Sequence, residues 1–334
     1  MKMVNTILVI CPHQLFAFAR LRTFLIRHRD EIVSLCCVEE PLFYYDVSRR
    51  PFHTHRLKIA FHRASMRAYF DGLCKTFPDI RCEYVQYDSL TQRSSEREKK
   101  LYDDAFKCNK TSPEKIMLID PHDHVVIDKY RDIYESRLRI CEDEFGFVLK
   151  KTDLDEFHEK YGKKTVQHAT FFRFVKEKLR ILIDVSSTDE HNRNILPHDF
   201  ITNVQEKNKS PVFRCQYHDD AKKYTESHAQ FSQHYGIIND DVWHRIAIDH
   251  VHAEKVLQCF IEKRFHCFGT YQDALHKDYA FLFHSQCAYL LNSGLLCPFH
   301  VMQSALRAHR QNKHVHENDI EGFLRQLIGW REYM

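Results

Sequence analysis

The sequence has 334 residues, 43% of them hydrophobic and 28% charged, with a net charge of +3. That length exceeds what one hydrophobic core commonly serves and predicts two domains. The charge excludes a polybasic nucleic-acid binder by bulk charge, so any such contact needs a local patch; with only 8 Gly and 9 Pro, long disordered stretches are excluded too.

Residues 4–11, with an apolar run from Ile7 to Cys11, are predicted as a continuous buried first strand. The run is short, breaks at Pro12-His13-Gln14 and has no small-residue cleavage site, which argues against a secretion signal. Helical spacing follows at 18–29, a second strand at 32–38, and a long amphipathic helix at 55–76 marked by Leu57, Ile59, Phe61, Met66, Tyr69, Phe70 and Leu73. Residues 80–87 alternate like a third strand and 115–120 read as a fourth, with a helix at 130–144 and a short strand at 146–150. This alternation predicts an α/β N-terminal domain over 1–150, Rossmann-like, with a parallel sheet covered on both faces. Ligands of such sheets bind at the carboxyl ends of the strands, here Pro12-His13-Gln14, Glu39-Glu40-Pro41 and Pro121-His122-Asp123. No glycine-rich phosphate loop follows the first strand, which argues against a dehydrogenase or a phosphate-loop NTPase.

Residues 151–225 are mixed and polar and read as an interdomain connector containing one helix at 170–183. From 226 to 334 the pattern is almost wholly helical, at 247–265, 281–291, 301–309 and 319–333, the last with a capping start at Asn318-Asp319. No run approaches the ~20 apolar residues that span a bilayer. The 12 Cys include no CxxC pair, so a soluble, intracellular protein with reduced thiols in a cytosol-like compartment is expected. The histidine pairs, such as His53/His55 and His122/His124, lack a second pair at zinc spacing, so no metal site is expected.

Six strings carry the chemistry. HQLF stands at 13–16, with EEPLFYY at 39–45 and a basic amphipathic stretch at 55–73. Asn192-Arg193 precedes Leu196-Pro197. Tyr271-Gln272-Asp273-Ala274 is followed by His284-Ser285 and then by Leu290-Leu291-Asn292, Gly294-Leu295-Leu296 and Pro298. The last string, over 321–334, is EGFLRQLIGWREYM. In this order they resemble the cryptochrome/photolyase superfamily, and most closely its deoxyribodipyrimidine photolyase-related, iron–sulfur branch of bacteria and archaea.

The resemblance implies an antenna-type α/β domain over 1–150 and a partial helical FAD-binding domain over 226–334. It places Tyr271, His284 and Ser285 at the phosphate and ribitol of FAD and Arg331 at a flavin-side group. Gln326 and Trp330 would meet a damaged, flipped base, where an aromatic face stacks and a neutral amide hydrogen-bonds without moving a proton. His13, Gln14, Glu39 and Tyr44 are the candidates for a second, antenna chromophore. Family members continue well beyond the GWRE motif, so the resemblance also implies that this chain alone binds FAD weakly or incompletely. The cluster cysteines would lie outside it, and no iron–sulfur cluster is expected in this polypeptide. One departure is Gln286-Cys287-Ala288, where a phosphate-binding Ser is lost.

Blander readings stand beside these. Glu39-Glu40 reads equally as a solvated strand end, and Arg56, Lys58, Arg63 and Arg67 as an exposed helix face. Arg307, Arg310 and Lys313 are either a DNA-facing patch or a solvated face, and Trp330 without the resemblance is a core aromatic. Two functions follow. One is the N-terminal part of a split or shortened light-dependent DNA-repair flavoenzyme, a carbon–carbon lyase acting on pyrimidine dimers or (6-4) lesions. Its partners would be damaged DNA and a second polypeptide supplying the remainder. The alternative is an inactive photolyase remnant that binds a nucleotide-like chromophore or docks a partner.

Overall fold

In a computed structural model, the described residues are 5–46, 48–90, 95–107, 112–142, 145–162, 166–187, 210–277 and 281–334. The Asn192-Arg193-x-x-Leu196-Pro197 string lies outside them. The chain divides into two compact units. The first holds residues 1–145, 212–252 and 292–295, and the second holds 146–211, 253–291 and 296–334. Residues 212–225, read from sequence as the end of the connector, and 226–252, read as helical domain, therefore group with the sheet.

The first unit is built on strands β1 Thr6–Ile10, β2 Ile32–Val38, β3 Arg81–Val85, β4 Lys115–Ile119 and β5 Leu138–Cys141. They form one parallel sheet in the order β3-β2-β1-β4-β5. Every residue of β1 is buried, as expected for a strand covered on both faces. Helices α1 Phe18–Arg27, α2 Arg56–Thr76, α3 Ser95–Ala105 and α4 His124–Tyr134 connect the strands. The α/β architecture expected for this part of the chain is present.

The last elements of the sheet differ from the expectation. Helix α4 ends at Tyr134, and its C-cap Glu135 has φ +49, a conformation that stops a helix. The fifth strand is therefore 138–141 rather than 146–150, and it falls inside the stretch read as helix. It is only half-buried along its length, so its sequence carries no strong apolar run.

The second unit and the returning segment are helical. Helices α5 Lys151–Tyr161 and α6 His168–Leu179 occupy part of the expected connector. They are followed by α7 Gln216–Ser227, α8 His250–Lys263, α9 Pro298–Gln311 and α10 Glu317–Leu324. Helix α7 packs along α2. The Arg63 guanidinium lies 3.5 Å from the Tyr224 ring centroid, and the Tyr217 hydroxyl donates to Asp71 at 2.5 Å. Helix α10 starts at Glu317, before the Asn318-Asp319 start read from sequence; Asp319 sits inside its first turn and accepts from the His316 N–H at 2.9 Å. No helix among the described residues is long and apolar enough to cross a membrane.

Candidate functional sites in the two units

In the first unit the strand order reverses between β1 and β4, which is where parallel α/β sheets open a ligand crevice. Gln14 spans this gap. Its Oε1 accepts from the Cys11 N–H at 2.9 Å, and its Nε2 donates to the Ile119 carbonyl at 2.6 Å. Gln14 is buried, and both ends of its amide are used by the sheet it clamps.

The two glutamates after β2 are fully buried rather than solvated. Glu39 accepts from Arg63 and from the Tyr84 hydroxyl, each at 2.5 Å, and from the Tyr87 N–H at 2.9 Å. Arg67 approaches it at 3.9 Å, so Arg63 and Arg67 are half-buried counter-ions and not an exposed face. Glu40 accepts from Lys129 at 2.8 Å and from the Tyr102 and Tyr130 hydroxyls at 2.7 and 3.2 Å. Burial of such charges is tolerable only with this degree of pairing. Glu39 is therefore committed to internal partners.

His13 and Tyr44 differ from Gln14 and Glu39. His13 is buried and stacks on Phe43, with ring centroids 5.0 Å apart. Phe43 also meets His62 at 5.4 Å, and Tyr44 meets His62 at 6.3 Å. Both ring nitrogens of His13, both of His62 and the Tyr44 hydroxyl are buried without a hydrogen-bond partner. Burial lowers each histidine to about 3, with His122 adding to the effect on His13 and Lys58 to that on His62. Two neutral imidazoles thus flank Phe43, and the Tyr44 phenol meets one of them, each with unused donor and acceptor capacity. Sequence reading missed His62, because its helical position gives no sign that it is buried.

In the second unit the GWRE string is not a plain helix. Residues Arg325–Trp330 form a π-helical turn between α10 and a last short helix, Arg331–Tyr333. Such turns concentrate at functional positions because they re-aim side chains. Trp330 is 40% exposed, so it is not a core residue. One of its faces lies on the His168 ring, with centroids 3.8 Å apart and planes within 3° of parallel. Gly329 permits this approach: a Cβ there would stand 2.8 Å from the His168 ring nitrogen. Gln326 is half-buried on the same turn.

Arg331 donates to the Leu291 carbonyl at 3.3 Å, and burial lowers its proton affinity. The neighbouring Glu332 accepts from the Val148 and Leu149 N–H groups at 2.9 and 3.1 Å. Burial raises its carboxyl to about 7, against the pull of those two hydrogen bonds. Arg307, Arg310 and Lys313 are exposed on and just after α9.

The Tyr271 and His284-Ser285 strings meet in the same unit. Tyr271 stacks on Phe283 at 5.3 Å. The His284 Nε2 donates to the Gln272 carbonyl at 3.0 Å, and the Ser285 hydroxyl accepts from the Cys287 N–H at 3.3 Å. The turn between them is strained, with Leu282 at φ +36 and Gln286 at φ +61. Left-handed non-glycine residues of this kind cluster at ligand clamps. The Gln286 Oε1 accepts from Ser210 at 2.6 Å, whereas its buried Nε2 has no acceptor. No group of three or more His, Cys, Asp or Glu that could hold a metal occurs among the described residues.

Residues 8–243, more than two thirds of the chain, match the family described as deoxyribodipyrimidine photo-lyase-related protein. The chain belongs to that family. This photo-lyase-related chain is also 26% identical over 294 residues to a (6-4) photolyase of Agrobacterium fabrum, an alignment covering 84% of the chain and 54% of that protein. It therefore spans about half the length of this curated relative. An uncharacterised protein of Acanthamoeba polyphaga mimivirus is 28% identical over 208 residues, covering 58% of this chain and 97% of that protein. A second uncharacterised mimivirus protein is 38% identical over 63 residues, covering 19% of this chain and 48% of its own length.

Proposed function

We propose that this photo-lyase-related chain works in light-dependent repair of pyrimidine-dimer or (6-4) DNA lesions, as the part of a flavoenzyme that presents Trp330 to the damaged base. The observation that carries this reading is the π-helical turn with its half-exposed, His168-backed indole. A partly exposed indole held flat against one ring is suited to stack on an extruded base. Gln326, four residues earlier, supplies a neutral amide for a base edge. Arg307, Arg310 and Lys313 supply exposed cations for the phosphate backbone.

The residues present also fit FAD. The strained turn over 282–286 holds the Ser285 hydroxyl and a buried Gln286 amide with donor capacity to spare, which is what a phosphate ester accepts. Tyr271, His284 and Ser285 would hold the phosphate and ribitol end, with Arg331 fixing the adjacent backbone from the GWRE side. When bound, reduced flavin supplies an electron to the lesion on excitation by light. The work of this chain is to bind, orient and exclude water. A polypeptide covering the rest of the relative's length is the proposed second partner. The test is the near-ultraviolet and blue absorbance of the purified chain, alone and with such a polypeptide. Flavin bands that strengthen in the pair support the reading, and no flavin in either sample removes it.

One observation favours a second reading, a chromophore-binding protein without repair activity. The unused polar atoms of His13, His62 and Tyr44 around Phe43 offer stacking and hydrogen bonds to a heteroaromatic ring. That chromophore serves as an antenna in the first reading and is the main ligand in the second. Lesion loss in the light separates the two.

A further inference from the structure

Cys74 lies in the last turn of α2, and Cys82 is the second residue of β3. Both elements belong to the first unit and pack against each other there. Strand β3 is an edge of the sheet, and both cysteines are half-buried, so small solutes reach them. The Cys82 thiol donates to the Ile80 carbonyl at 3.4 Å and shares its hydrogen with the Cys74 sulfur. Behind the pair, on β2, stands the fully buried Cys37, which both sulfurs act on. The three thiols do not make a metal-holding group among the described residues.

Two free thiols in hydrogen-bond contact on adjoining elements have the proximity that a disulfide needs. Burial first, then the neighbouring Cys74, pushes the Cys82 thiol up to about 12. Cys82 therefore keeps its proton at neutral pH and acts as the donor, which leaves the attacking role to Cys74.

The seam between α2 and β3 also carries the Glu39 network. Arg63 and Arg67 of α2 and Tyr84 of β3 surround that carboxylate. The Arg67 guanidinium lies 3.9 Å from the Tyr84 ring centroid, and Phe70 of α2 packs on the same ring at 5.1 Å. A covalent bond at the end of α2 would hold these groups in register.

We propose that Cys74 and Cys82 are a redox-modifiable dithiol, which a hydroperoxide converts to a disulfide that locks the α2–β3 seam. The Cys74 sulfur attacks the hydroperoxide. An S–O bond forms as the O–O bond breaks, and the leaving oxygen departs as water or an alcohol with the Cys74 proton. The Cys82 sulfur then attacks the Cys74 sulfenic acid. The S–S bond forms as the S–O bond breaks, and the hydroxyl leaves as water with the Cys82 proton. Together the two thiols lose two electrons, and the hydroperoxide gains them. A small dithiol reverses the bond by exchange. Transient, redox-sensing pairs are the usual disulfides of reducing compartments.

The experiment treats the wild-type chain, Cys74→Ser and Cys82→Ser with stoichiometric hydrogen peroxide. Peptide mass spectrometry then maps thiols, disulfides and dimedone-trapped sulfenic acids. Wild type is expected to gain a Cys74–Cys82 cross-link and to recover both thiols with dithiothreitol. The cross-linked chain is expected to melt about 5–10 °C above the reduced one. Cys82→Ser is expected to stop at a dimedone adduct on Cys74, and Cys74→Ser to give no cross-link at Cys82. A cross-link to Cys37 in place of the Cys74–Cys82 bond overturns the pairing, as do wild-type thiols at both positions that stay free. An unchanged Tm after cross-linking overturns the lock. The wild-type map decides the pairing whether or not the variants fold.

Discussion

The rings of His168 and Trp330 lie face to face, 3.8 Å between centroids, although 162 positions separate them in the sequence. His168 opens α6, and Trp330 closes the π-turn after α10. The pair fixes the indole plane from one side, and the indole remains 40% exposed. The sharp reading of Trp330 thus rests on a residue that sequence motifs do not include.

His168→Ala removes this backing. Stacked aromatic pairs contribute roughly 0.5–1.5 kcal/mol beyond their buried area, so a Tm loss of a few degrees is expected. Trp243, the other tryptophan, is fully buried. A red shift in emission and stronger iodide quenching would therefore report Trp330 alone. Unchanged quenching would mean that the stack does not hold the indole.

Glu332 ties the GWRE string to the 148–149 backbone and gives a pH signature. Its folded carboxyl is raised from the ordinary 4.5 to about 7. Between those values the native state holds a proton that the unfolded chain has released, so stability falls as pH rises through the window. The slope amounts to at most about 3 kcal/mol. Glu332→Gln is expected to flatten it, measured by urea unfolding at about pH 5 and about pH 8. A slope equal to wild type would show that Glu332 does not titrate there.

The buried Glu40–Lys129 pair predicts non-additive energetics. Glu40→Leu removes the 2.8 Å carboxylate partner of the buried Lys129, a loss expected to be about 3–5 kcal/mol. Adding Lys129→Met should recover most of it. A double variant as unstable as the sum of the singles, by chemical denaturation, would place the network's value elsewhere.

Gly269 lies where the segment before Tyr271 meets the start of α10. A Cβ there would stand 2.3 Å from the Asn318 backbone, and its N–H donates to Asp319 at 2.8 Å. Gly269→Ala is expected to cost on the order of 1–3 kcal/mol, visible as a lowered Tm. A neutral substitution would show that the two segments can separate without loss.

These residues show what the sequence could and could not disclose. The first four strands are legible because β1, β2 and β4 are nearly continuous apolar runs and β3 alternates. The fifth is four residues of half-buried edge strand, and only the backbone at Glu135 reveals where the helix before it stops. Helix α7 reads as connector because its sequence is mostly polar. It joins the sheet unit through Tyr224 on Arg63, a contact with no local signature. Trp330, Gln326 and Ser285 were legible as motif positions. His62 and His168 were not, because burial and ring contacts across the chain are properties of space rather than of spacing.

The most direct test of the account is lesion counting in UV-irradiated DNA under blue light. The chain is supplied with reduced FAD and with a polypeptide covering the rest of the (6-4) photolyase relative's length. The account predicts lesion loss that requires light and falls at least about a hundredfold in Trp330→Ala. Flavin bound in both proteins, with the lesion count unchanged in the light, would contradict it.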